Sequence, residues 1–139
     1  MVDNVRELRP RPPETEKVTI NLGYVDLGQV DLMVQEGFYS NRTDLIRTAL
    51  RNQLATHADV VKQTVARKSL SLGLQRYSRA DLEATRAAGQ RLRIQALGLV
   101  VVDDDVTPEL AMATIDSVAI LGAFHASPAV RAALSDRIQ

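Results

Sequence analysis

Along Lys17-Val18-Thr19-Ile20-Asn21-Leu22 polar and apolar residues alternate strictly, placing Val18, Ile20 and Leu22 on one face and Lys17, Thr19 and Asn21 on the other. This is a strand pattern. Gly23 leads directly into a helical pattern, so no hairpin partner follows, and an unpaired strand leaves its backbone donors and acceptors without partners. Pairing with the same strand of a second chain is the simplest remedy, which predicts an obligate dimer.

The period then changes from two to between three and four. Asp26 is placed to cap a helix from about Leu27 to Glu36, with Val30, Met33 and Val34 on one face and Gly37 as its stop. Ser40 is placed to cap a second helix whose apolar face holds Leu45, Ile46, Ala49, Leu50 and Leu54. No Gly or Pro interrupts 41–68, so this helix is expected to run long or to kink near Thr56.

Beyond Lys68 a weaker regularity emerges. Leu-Gly recurs at Leu72-Gly73, Leu97-Gly98 and Leu121-Gly122, each inside a short aliphatic run: Leu70 to Leu74, Ile94 to Val102 and Val118 to Phe124. Each run precedes a helix-start signal, namely Ser78 with Asp81, Thr107-Pro108-Glu109, and Ser127-Pro128. A strand and a short helix repeated about every 24 residues match the period of a small leucine-rich-repeat-like solenoid. An irregular α/β tail with coincidental Leu-Gly pairs is the alternative: no Asn ladder is present, and the middle unit carries four extra residues, Asp103 to Val106. The Asp triplet has the wrong spacing for a calcium loop and reads as a solvated turn.

The stretch KVTINLGYVDLGQVDLMVQEGFYSNRTDLIRTALRNQL resembles a ribbon-helix-helix DNA-binding domain of the CopG/MetJ/Arc type, over about residues 16–56. The alternating strand followed by YSNRTDLIRTALR carries the resemblance. It implies an α+β fold: an intermolecular two-stranded antiparallel ribbon with helices, followed here by a small C-terminal α/β repeat region. The expected organisation is a Pro- and Arg-containing mobile arm over 1–15, the DNA-binding domain over 16–56, a helical connector over 57–68, and an oligomerisation or effector region over 69–139. An antiparallel ribbon fits the major groove, where each base pair presents a distinct donor and acceptor pattern. Lys17 can donate to guanine, Asn21 can pair bidentately with adenine, and Thr19 offers a hydroxyl and a methyl, so these three are the candidate base readers. The backbone N–H groups of Ser40, Asn41 and Arg42 at the second helix start form the candidate phosphate clamp, as the family uses that position; a simple Ser40 cap is compatible with it.

Charge changes how such binding would work. Lys plus Arg equals Asp plus Glu at 17 each, for a net charge of zero. Divided along the chain, it runs 0 over 1–15, −1 over 16–57, +5 over 58–93 and −4 over 94–139. The reading head is not basic. Phosphate attraction then falls to placed cations: Arg42, Arg47 and Arg51, the arm residues Arg6, Arg9 and Arg11, and Lys62, Arg67 and Lys68. For the last group, a solvated helix face is the competing reading.

Composition narrows the rest. The absence of Cys excludes thiolate metal sites and Cys nucleophiles and fits a reducing compartment. His57 and His125 have no ligand-like spacing, and no nucleophile–base pair or phosphate loop stands out, so neither metal, cofactor nor catalysis is expected. The longest apolar runs are too short for a membrane span, and the N-terminus lacks a signal-peptide core. The expectation is a cytoplasmic, nucleoid-associated homodimer that binds double-stranded DNA at a symmetric operator and represses transcription, with higher assembly through 69–139. An antitoxin with a toxin-neutralising tail and a self-assembling scaffold built on the repeats are the alternatives.

Overall fold

The computed structural model describes residues 15–139, so the arm and its Arg6, Arg9 and Arg11 lie outside the described residues. The chain divides into two compact units, with Lys17–Thr64 forming one and the residues from Val65 onward the body of the other.

The first unit is a bare segment followed by two helices and most of a third. Residues 17–22 form no helix and join no sheet ladder among the described residues. Helix α1 spans Tyr24–Gln35 and starts three residues earlier than Asp26 suggests. Gly23 occupies the cap position with extended backbone and no side-chain cap, and the Leu27 N–H donates to its carbonyl at 3.0 Å. Asp26 falls instead in the first turn, where its charge suits the positive end of the helix dipole. The stop is as expected: Gly37 has φ +84°, its N–H donates to Val34 O at 3.1 Å, and the Phe38 N–H reaches back to Met33 O at 3.0 Å. That double return closes the helix end.

Helix α2 spans Arg42–Thr56, capped by Asn41 rather than Ser40. Asn41 Oδ1 accepts from the Asp44 N–H at 2.8 Å, while Asp44 Oδ2 accepts from the Ser40 N–H at 3.0 Å, so the capping pair sits one residue later than expected. The expected kink is a break at His57. Its N–H bonds to Leu54 O, and helix α3 restarts over Ala58–Arg67. The apolar face of α2 is partly covered at Leu45 and Ile46, while Ala49, Leu50 and Leu54 are exposed. Neither α1 nor α2 contains a buried residue.

The second unit has its own core. Strands β1 (Ser71–Tyr77), β2 (Leu92–Val102) and β3 (Ile115–His125) form a parallel sheet in sequential order. Helices α4 (Arg79–Ala87), α5 (Pro108–Thr114) and α6 (Pro128–Ala133) follow the strands in turn. All three start signals work as caps: Ser78 forms a reciprocal capping box with Asp81, and Thr107 and Ser127 accept from the Leu110 and Val130 N–H groups. Leu82 of α4, Leu110 and Ala111 of α5, and Val130 and Leu134 at α6 share one buried cluster with Ile94, Ala96, Val100, Val102, Ile115 and Val118 of the sheet. Thr114, a buried polar residue, donates to Leu110 O at 2.7 Å. Only part of the Asp triplet is a solvated turn. Asp104 and Asp105 are exposed, but Asp103 accepts from Arg76 Nε at 2.7 Å, and Val106 is buried.

The three Leu-Gly pairs stand in register, Leu72 beside Leu97 beside Leu121, and Gly73 beside Gly98 beside Gly122. All three glycines have positive φ, at +107°, +138° and +126°. A Cβ on Gly98 would lie 2.3 Å from Gly73 O, and one on Gly122 would lie 2.1 Å from Gly98 O. The carbonyl of each strand thus occupies the space that the next strand's side chain would need. Past α6 the chain returns to the sheet, where the Val118 N–H donates to Arg137 O and the Gln139 N–H to Val118 O, covering the outer edge of β3 at that point. Arg137 anchors this return by donating to Met112 O and Ile115 O, both at 2.7 Å.

Candidate nucleic-acid interface

The candidate base readers Lys17, Thr19 and Asn21 lie in the segment without a ladder, and all three are exposed. Their apolar alternates are exposed as well: Val18 by 80% and Ile20 by 58%. A buried strand would hide one of these faces and a loop would not alternate. Here both faces are exposed, and the backbone joins no ladder with any described residue.

The candidate clamp is a tight knot of charge. The Ser40 N–H is taken by the Asp44 carboxylate, and among the described residues the Asn41 and Arg42 N–H groups have no hydrogen-bond acceptor. Arg42 donates through Nε to Asp31 Oδ1 at 2.7 Å and through a terminal nitrogen to Asp31 Oδ2 at 2.8 Å. This bidentate pair ties the first turn of α2 to α1. The guanidinium holds the Asp31 carboxyl below the ordinary carboxylate range, chiefly through these hydrogen bonds. The structure therefore brings Ser40, Asn41 and Arg42 together at one helix start, and adds Asp31 and Asp44, two acidic partners that the sequence reading missed. Asp44 was findable, because its position in the first turn of α2 is that of a capping carboxylate. Asp31 was not, because it meets Arg42 only through the packing of α1 on α2. Arg47 and Arg51 project from the exposed side of α2.

The profile of the ribbon-helix-helix transcriptional regulator family matches residues 13–131. The chain belongs to this family. The match runs from before the 17–22 segment through β3 and into α6, so the C-terminal strand–helix units, which the sequence resemblance did not reach, fall within the family's extent. No curated protein and no solved structure matches the chain. As a ribbon-helix-helix regulator the chain is assigned to DNA binding and transcriptional regulation. Among the described residues no helix is long and apolar enough to cross a membrane, and no group of three or more His, Cys, Asp or Glu is placed to hold a metal ion.

Proposed function

We propose that the chain is a sequence-specific DNA-binding repressor that acts as a homodimer. Residues 17–22 of two chains pair as an antiparallel ribbon, with Lys17, Thr19 and Asn21 facing the bases in the major groove. One observation carries this reading: the unit Lys17–Thr64 contains no buried residue, while Val18, Ile20, Leu22, Leu50 and Leu54 stand exposed. A second copy supplies the missing core and the missing ladder together. The N–H groups of Asn41 and Arg42 hold a backbone phosphate at the start of α2, and Ser40 shapes the turn through Asp44. The buried core of the C-terminal unit favours this reading over an antitoxin, whose neutralising tail is characteristically disordered when free. The three strand–helix units, with their Leu-Gly pairs in register, are read as one repeat used for protein contacts.

Selection of bound sequences from random DNA, with salt titration, tests the assignment. Lys17→Ala and Asn21→Ala are expected to lower preference for the selected site by about ten- to a hundredfold while leaving non-specific binding nearly intact. Arg42→Ala is expected to weaken all sequences alike. Asp31→Ala separates phosphate binding from helix tethering, since it frees the Arg42 charge and removes an anion. Tighter binding by Asp31→Ala supports the clamp; weaker binding shows that Arg42 serves to hold the helices. Strand variants that bind the selected site normally would refute the assigned reading face.

A further inference from the structure

Each inner contact of the glycine row has two unlike halves. One strand supplies a carbonyl that points across to its neighbour, and the neighbour supplies a glycine whose lack of a Cβ leaves room for it. Gly73 O meets Gly98 in this way, and Gly98 O meets Gly122. At the two edges of the sheet, among the described residues, one half stands alone. Gly73 repeats the positive φ of the inner glycines, at +107°, yet nothing lies within 4 Å of the place its Cβ would take. Gly122 repeats it at +126°, so by the same step its carbonyl is directed away from β2 and out past β3, where no further strand brings a glycine.

We propose that β1 of one chain adds in parallel to the outer edge of β3 of a second copy, with Gly122 O of one seated at Gly73 of the other. Extending the register gives Ser71 beside Ile120, Gly73 beside Gly122 and Arg76 beside His125. That span begins where the C-terminal return stops. The return bridges β3 at Val118 through Ile138, and its last bond runs from the Gln139 N–H to Val118 O, short of Ile120. The incoming strand meets the same limit from its own side. Helix α3 ends in a double return, from the Ser69 N–H to Ala66 O and from the Leu70 N–H to Val65 O, and Ser69 has φ +54°, so the chain turns into β1 only at Ser71. The edge of β1 is also unguarded, with seven residues, no Pro and no Lys. Its one charge, Arg76, is already paired with Asp103 where it falls beside His125. In the helix layer α4 comes beside α6, as it lies beside α5 within the chain; its Arg79 and Arg86 are balanced by Asp81 and Glu83, so it adds no net charge next to Arg131. A contact with unlike halves repeats head to tail, and the product is a ring or a filament. The inference rests on reading the three units as one repeat used for protein contacts and is independent of the ribbon.

The chain has no cysteine, so introduced thiols report alone. Across the paired edges Leu72 of one chain falls beside Leu121 of the other, about 4.8 Å away and within disulfide reach. Inside one chain the two lie two strands apart, about 9.6 Å, which is beyond that reach. Both side chains are exposed. A mixture of Leu72→Cys and Leu121→Cys chains is expected to cross-link on oxidation at least about tenfold faster than either chain alone, and the double variant to give a ladder of successive multimers on non-reducing electrophoresis. Leu74→Cys mixed with Leu121→Cys stands two residues out of register and is expected to stay at the single-chain rate. Adding Gly73→Ala to the Leu72→Cys chain puts a methyl where Gly122 O would sit and is expected to return the mixture to that rate as well, with circular dichroism verifying the fold. A mixture no faster than its components, an out-of-register pair that links as fast, or full cross-linking by a folded Gly73→Ala chain would each overturn the proposal. DNA binding by the unsubstituted chain, measured beside it, keeps the two readings apart. Binding without cross-linking of the variants overturns the edge contact and leaves the repressor standing, and a ladder from a chain that binds no DNA does the reverse.

Discussion

Replacing Gly98 by Ala tests the glycine row directly. The new methyl would stand 2.3 Å from Gly73 O and 3.0 Å from the carbonyl carbon, both backbone atoms that cannot rotate away. The backbone at Gly98 also has φ +138°, where an L side chain is strained by about 1–2 kcal/mol. Overpacking adds about 1–3 kcal/mol as β1 and β2 separate. The expected loss is therefore about 2–5 kcal/mol, a large share of the roughly 5–15 kcal/mol that holds an ordinary domain. Gly73→Ala is the internal control, because its φ is +107° but nothing lies within 4 Å of the new atom. It is expected to show the conformational strain alone, about 1–2 kcal/mol. Urea unfolding followed by circular dichroism gives the two values, and hydrogen exchange of the β2 amides localises the loss. Equal costs at Gly73 and Gly98 would show that the carbonyl approach between strands contributes nothing, and the steric account of the row would fail.

Other expectations follow from the same geometry. Gly28→Ala, inside α1 with open space around it, is expected to stabilise the N-terminal unit by about 0.5–1 kcal/mol in thermal melts. Leu82→Ala empties a fully buried site where α4 meets the sheet and is expected to cost about 2–5 kcal/mol by urea titration. Asp81 has its pKa lowered below the ordinary 3.8 by hydrogen bonds from the Ser78 backbone and side chain. A depressed carboxylate stabilises the fold above its unfolded pKa and loses that contribution as pH falls through the folded value, so Asp81→Asn is expected to flatten the acid limb of stability below about pH 4. Val18→Glu with Ile20→Glu is expected to abolish DNA binding while the exchange protection of β2 and β3 persists, since those strands lie in the other unit.

Elements governed by local physics were legible in the sequence. The caps at Ser78, Thr107 and Ser127, the stop at Gly37 and the break beside Thr56 follow from side chains acting within a few residues of themselves. The errors are also local. Ser40 and Asn41 are both competent caps, and the choice of Asn41 was decided by Asp44 reaching back to the Ser40 N–H. Gly23 started α1 ahead of the stronger capping residue Asp26 because a cap needs only extended backbone and an available carbonyl. What sequence could not disclose was long-range pairing. The bond between Arg42 and Asp31, and the link between Arg76 and Asp103 across 27 residues, depend on tertiary approach. The in-register glycines were visible as a spacing, but their reason was not, since a carbonyl pressed against the bare backbone of the neighbouring strand leaves no trace in hydropathy.

The uneven distribution of buried side chains sets an order of events for each newly made chain. The C-terminal unit holds its whole core within one molecule, so its folding is first order and independent of abundance. The N-terminal unit owns no such core, and in the homodimer proposed above its completion is second order in chain concentration. On that proposal each molecule carries a constitutive half and a half whose existence registers how many copies are present. Halving expression is then expected to lower the population of complete reading heads more than twofold once the concentration nears the dissociation constant, which would make the dose of the protein itself a variable that its DNA occupancy reads.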